Sequence, residues 1–390
     1  MNGYSRRAAR WARRAAVSVL AVSTLAACAQ FPQESPRAFG PTPTPEAAEI
    51  APQLPSAPPG PSIPLSPSTG PSTPPPPCTD PDPAVVATCL DPTAGVVVLP
   101  GDEAAIVAER RTGRLLKVAP QQPPVELARI PVDAGADGGL LDMALSPSYA
   151  EDRLIYLYLS TSTDNRVMRI AVGDAPKPVL VGIPHGPQHN SGAIAFDAKG
   201  NLLVATGDAG NPAAAGDPAS LGGKLLRTTA SGAPAPGNPN PSSPVAASGL
   251  VDPGGLCTDA GTGTSWVTDR TATLDRLRSV GSTGSLGPDT WTWPDRPGAA
   301  GCAAQKGRIS VALSTGAALY VLTTAANGSV SAPPEVLVKD RYGQLFGADV
   351  ASNGVVWAGT VNKAGGKPGP TDDRVIQIQP PSGQGGASAA

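Results

Sequence analysis

The chain has 390 residues, a formal net charge of −2 and two histidines. So even a charge balance leaves no electrostatic footprint for nucleic acid or for adsorption on an anionic membrane surface. With 47 Pro, 45 Gly and only 15% charged residues, the composition excludes a helical bundle and points to an all-β domain rich in turns.

Residues 1–27 read as a lipoprotein signal peptide. Arg6, Arg7, Arg10, Arg13 and Arg14 form a basic head, and the apolar run from Ala15 to Leu25 is too short to span a bilayer comfortably. The run ends in Leu25-Ala26-Ala27-Cys28, which resembles the lipobox of bacterial lipoproteins. That resemblance implies lipidation of Cys28 and an exported chain held on the outer face of the cell membrane. Two or three acyl chains anchor firmly, because each buried CH₂ contributes about 0.8 kcal/mol. The paired arginines leave general and twin-arginine export both open. Residues 28–83 are dense in Pro, Ser and Thr and hold too few large apolar side chains for a core, so they read as a tether. At about 3.1 Å per residue in polyproline II, it reaches on the order of 100 Å.

From residue 84 to residue 380, short apolar runs recur with turn signals between them: Ala104–Ala108, Leu154–Leu159, Leu202–Ala205, Ser265–Val267, Leu319–Leu322 and Val355–Ala358. Several are followed by a tight turn and a second strand, as in Gly113–Val118, Asn165–Ile170, Asp275–Arg278 and Asp373–Ile378. A recurrence of roughly 40 to 60 residues is the period of propeller blades, so the runs predict a six-bladed β-propeller. The strand near Val375 is expected to close the ring by pairing with first-blade strands near Val96. Residues 381–390, rich in Gly, Ser and Ala, read as a disordered tail. With Cys28 lipidated, four cysteines remain, and an even count outside the cytoplasm suggests disulfides Cys78–Cys89 and Cys257–Cys302.

The strongest local signal runs from Gln188 to Arg227. Ala193–Phe196 and Leu202–Ala205 flank the turn Asp197–Gly200 and predict a hairpin; a Gly/Asp-rich loop follows, then a partly buried strand over Lys224–Thr228, with no helix signal. This segment resembles the block HNGGxLxFxxDGxLYVxTGDAGNxxxxxDxxSLxGKxLR of the soluble PQQ-dependent glucose/sorbosone (aldose sugar) dehydrogenases. Gly138–Asp152, GGLLDMALSPSYAED, is similar to the same family's GGLLGxALxPxFAEN. Taken with its N-terminus, the whole chain is most similar to actinobacterial lipoproteins of the LppZ type. The family resemblance implies a six-bladed propeller, PQQ and calcium as cofactors, and His189 as the base that takes the substrate's C1 hydroxyl proton.

PQQ carries three carboxylates, so a site that holds it needs guanidinium or ammonium groups. Here the sequence departs from the family. GxRNPxG appears as Gly249–Gly255, with Val251 for the arginine and Asp252 for the asparagine. The calcium segment ExGP appears as Asp269–Ala272, GRxRD as Gly343–Asp349 with Gln344 and Phe346 at basic positions, and a common glutamine before GGLL as Asp137. Arg270, Lys306 and Arg341 are the candidate replacement cations. Asp208, Asn211 and Asp217 are candidate calcium ligands, although their spacing is not that of an EF-hand. Trp291, Trp293, Trp357 and Tyr342 suit either a sugar-stacking mouth or packing within blades. The expectation is an envelope lipoprotein whose propeller is degenerate at the PQQ site and binds or scaffolds a sugar, a glycan or an envelope protein. The alternative is an active PQQ-dependent aldose or alcohol dehydrogenase with His189 as base.

Overall fold

A computed structural model describes residues 78–325, 328–330 and 332–381. The signal peptide, Cys28, the tether up to residue 77 and the tail from residue 382 lie outside the described residues.

The domain is a six-bladed β-propeller of six four-stranded antiparallel sheets. The innermost strands are Thr93–Val98, Leu140–Leu145, Gly192–Phe196, Asp252–Asp259, Ala299–Gln305 and Leu345–Val350, in blades 1 to 6. Neighbouring inner strands come so close that small residues are required. A Cβ on Gly347 would stand 1.9 Å from the carbonyl oxygen of Ala94.

The second strands Ala105–Glu109, Ile155–Ser160 and Leu202–Thr206 are buried along their whole length. A strand covered on both faces reads as a continuous apolar run rather than an alternating one. That is why five of the six sequence runs fall on second strands. The exception is Leu319–Leu322, which belongs to the third strand of blade 5, Ala318–Thr323, after Arg308–Leu313.

Ring closure differs from the expectation. The strand Val375–Ile378 pairs with Val85–Ala87, register Val85 to Ile376, and not with the strand around Val96. The physical reason is radial: Val375–Ile378 is the third strand of its blade, so its open edge faces outward, whereas Val96 lies on the innermost strand of the next blade. The N-terminal strand covers that edge. Flanking residues fasten it. Cys78 and Cys89 form a disulfide with Cα atoms 5.7 Å apart, Arg374 reaches Asp80 at 3.2 Å, and Asp82 accepts from Arg341 and from the Tyr342 hydroxyl, each at 2.8 Å. Asp80 and Asp82, which composition places in the tether, therefore belong mechanically to the last blade. The second disulfide, Cys257–Cys302, joins the inner strands of blades 4 and 5.

The inner strands enclose a channel of about 600 Å³. Two carboxylates on its wall bond across blade boundaries: Asp142 accepts from the Ile194 amide at 2.8 Å and Asp349 from the Val98 amide at 2.7 Å. Burial pushes the Asp142 carboxyl up to about 7 and that of Asp349 up to about 6, against the backbone hydrogen bonds that pull them down.

Candidate functional site at the mouth of the ring

At the end of the ring where the inner strands begin, the segment 184–190 and the loop 207–223 of blade 3 meet the start of blade 4. His189 has a left-handed backbone, φ 55°. Its carbonyl accepts from the Ala209 amide at 3.2 Å, and a Cβ on Gly207 would lie 2.0 Å from that carbonyl oxygen. The glycine of the Gly207-Asp208-Ala209-Gly210 loop is thus a condition for bringing the loop against the histidine.

Asp208 is buried, and its Oδ1 accepts from the Gly210 amide at 2.9 Å and lies 2.8 Å from His189 Nδ1. A carboxylate can only accept, so Nδ1 is the donor of this bond, and in a neutral imidazole Nε2 is then the acceptor. The His189 side chain keeps 30% of its surface exposed. The loop behind it is held by Lys224, which is fully buried and donates from Nζ to the carbonyls of Ala214, Ala215 and Gly222. Burial lowers the Lys224 pKa. Its strand, Lys224–Thr228, is wholly buried rather than partly, and the loop contains one short helix, Pro212–Gly216, capped by Asn211, which the sequence did not signal.

Asn190 is buried and pins the segment before it, bonding to the Gly186 carbonyl and accepting from the Gly186 amide. Its side-chain and backbone nitrogens both donate to Asp137 Oδ1, at 2.8 and 3.1 Å.

Close enough to His189 to feel its charge stands an ion pair at the start of blade 4. Asp252 and Arg270 are cross-strand partners at the start of blade 4, and Arg270 Nε donates to Asp252 Oδ2 at 2.8 Å. Burial raises the Asp252 carboxyl, yet Arg270, the Ser191 hydroxyl and His189 outweigh it and hold the pKa below the usual carboxylate value. For Arg270, burial works against the charge and Asp252 more than restores it. Ser191 Oγ and Asp252 Oδ1 are both buried, and the Ser191 hydroxyl is near enough to the Asp252 carboxyl to help hold it charged. The amides of Val251 and Asp252 both donate to Asp269 Oδ1 at 2.9 Å, and Arg276 neutralises Asp269.

The remaining candidates are dispersed. Lys306 is exposed in the turn at the far end of the channel, and Arg341 is bound to Asp82 on the closing blade. Of the three candidate cations only Arg270 lies at the mouth. The proposed calcium trio is engaged locally: Asp208 with His189 and Gly210, Asn211 as cap of Ala213, Asp217 accepting from Ala219. Trp293, Trp357 and Tyr342 are buried within blades, and Trp291 packs against the same core as Trp293. Sequence reasoning missed Ser191, which stands at a glycine of the HNGG block in the resemblance and is near enough to act on Asp252.

The Glucose / Sorbosone dehydrogenase family model matches residues 90–277. The structure of the PQQ-bound form of aldose sugar dehydrogenase from Streptomyces coelicolor is 31% identical, with a TM-score of 0.70, over 76% of this chain and 96% of that one. The chain belongs to the glucose/sorbosone dehydrogenase family. A putative oxidoreductase (glucose dehydrogenase) from Thermus thermophilus is 28% identical with a TM-score of 0.67, over 75% of this chain and 98% of that one. Aldose sugar dehydrogenase YliI of Escherichia coli is 35% identical over 112 residues, 25% of this chain and 30% of that protein. The matches to curated relatives thus span under a third of their length, 30% and 25%.

Proposed function

We propose that this family member no longer holds PQQ in the family's manner and works as a binding module of the cell envelope, tethered to the membrane through a lipidated Cys28. The observation that carries the reading is the Asp252–Arg270 pair next to His189. A cofactor with three carboxylates would meet the carboxylates of Asp137, Asp208 and Asp252, and the one candidate cation present at the mouth is already neutralised. Those residues do not fit that group, because each unmatched anion in a partly dry site opposes the next. The Pro-rich segment and the lipobox-like Leu25–Cys28 support display at a distance from the membrane.

A second reading, a working PQQ-dependent aldose or alcohol dehydrogenase with His189 as base, is favoured by the intact His189–Asp208 pair. One titration separates them: the full chain with PQQ and Ca²⁺, followed by absorbance and by dye reduction with aldoses. Absence of binding at high-micromolar PQQ in folded protein supports the binding module. Calcium-dependent binding with sugar oxidation lost in His189→Ala overturns it.

A further inference from the structure

The chain enters the propeller at Cys78, directly after the run Pro74–Pro77, and the disulfide to Cys89, eleven residues on, closes a loop around the strand Val85–Ala87. Drawn out fully, eleven residues span about 36 to 40 Å. The disulfide holds the two Cα atoms 5.7 Å apart, so a pull on the chain before Cys78 cannot draw that loop taut. It passes through the two sulfurs to Cys89 instead. The strand inside the loop is the one that needs sparing. Its register on Val375–Ile378 rests on two pairs, Val85 with Ile376 and Ala87 with Val375, with an irregularity between them. The bonds that Asp80 and Asp82 add are made by side chains, one of them to the exposed Arg341.

The place where such a pull arrives is built differently. The Cys89 amide donates to the Thr371 carbonyl at 2.9 Å, and Leu90 and Asp373 exchange backbone hydrogen bonds at 3.0 and 3.1 Å. Lys363 Nζ donates to the Leu90 carbonyl at 2.6 Å, and the Leu90 side chain is buried. One residue on, Asp91 accepts from Arg111 Nε at 2.9 Å, and its amide donates to Glu109 Oε1 at 3.0 Å, on the second strand of blade 1. Residues 89–91 are therefore bonded to blade 6 on one side and to blade 1 on the other, with main-chain bonds in both directions to blade 6.

We propose that Cys78–Cys89 is a tension clasp: it carries a pull arriving along the N-terminal tether past the closing strand and into residues 89–91, where two blades share it, so that the ring stays closed while the domain is held at that end. A module anchored at one end and gripping a partner at the other is pulled at this junction. Without the clasp, Val85–Ala87 stands first in line, and its loss uncovers the edge of Val375–Ile378. The proposal rests on the reading of the Pro-rich segment as a tether fixed at Cys28.

The test is single-molecule pulling of the full exported chain, held by the N-terminal end of its tether and by a second handle at Lys199, in an exposed turn of blade 3. In the oxidised protein no discrete lengthening is expected before the blades unfold. In the double variant Cys78→Ser with Cys89→Ser, a step of about 30 Å, the length of the opened loop, is expected first and at lower force. The same step in the oxidised protein, or its absence from the variant, overturns the proposal. A second variant keeps the disulfide: Asp80→Asn with Asp82→Asn is expected to leave the force of the first rupture unchanged, because the pull bypasses both side chains. A lower force would mean that those bonds carry the pull and would overturn the clasp. Recovery of the full chain in the membrane fraction, lost in Cys28→Ser, judges only the tether reading on which the proposal rests.

Discussion

Arg270 Nε sits 2.8 Å from Asp252 Oδ2, and both side chains are about four-fifths buried. Asp252 opens the inner strand of blade 4, and His189 lies just before the inner strand of blade 3. The partners of the ion pair cannot be removed independently.

Asp252→Asn should leave the Arg270 charge partly buried and unmatched. The expected loss is about 3 kcal/mol or more of unfolding free energy. The double variant Asp252→Asn with Arg270→Gln should recover much of it, because the unmatched charge is gone. Urea denaturation of both variants, set in a double-mutant cycle, measures the coupling. Additive losses would mean that the pair is not what holds the mouth.

Lys224→Met should loosen the loop that carries Asp208. Three carbonyls lose their donor, and each buried acceptor left unsatisfied costs about 1 to 3 kcal/mol. Hydrogen exchange over residues 207–223 should quicken, while the strands of blades 5 and 6 keep their protection. Uniform acceleration across the whole domain would point to global destabilisation instead.

Removing the Cys78–Cys89 disulfide by a Ser/Ser variant frees the closing strand from one of its fasteners. Closing a short loop contributes on the order of 2 to 4 kcal/mol, and the thermal midpoint should fall accordingly. Limited proteolysis should cut first around residues 78–92, since Val85–Ala87 is only three residues long. If cleavage appears elsewhere first, closure does not depend on this fastener.

Asp142 and Asp349 carry carboxyls raised to about 7 and about 6 in the fold, above their ordinary value of 3.8. The unfolded chain therefore releases these protons at lower pH than the fold does. Their contribution to stability is fully present below about pH 4, declines as pH rises, and is lost by pH 6 to 7. Asp142→Asn keeps an acceptor for the Ile194 amide and cannot ionise, so it should gain stability over the native chain at pH 8 and match it near pH 4. Other carboxylates, among them Glu109 and Asp197, are lowered and act in the opposite sense, so the comparison of variant with native is the readout. Urea midpoints at the two pH values check it; an equal offset at both would exclude a titrating Asp142.

The blade count, the Cys78–Cys89 disulfide and the hairpin at Ala193–Ala205 were legible in the sequence because each depends on neighbours in the chain or on burial from both sides; Cys257–Cys302 was legible only because two cysteines were left to pair. Second strands announce themselves as apolar runs, and Gly207-Asp208-Ala209-Gly210 announces a tight loop. Closure of the ring and the composition of the mouth were not legible. Val85–Ala87 is three residues long and follows a Pro-rich stretch, so nothing local marks it as the strand that completes the last blade. Arg270, Lys306 and Arg341 look alike as basic residues in later blades, yet one meets Asp252 at the mouth, one lies at the far end of the channel and one holds Asp82 at the outer edge. The resemblance read from sequence puts Val251 and Asp252 where the family motif has arginine and asparagine. Only the tertiary structure decided that Asp252 is answered by Arg270, because charge matching is a property of distances between strands, not of order along the chain.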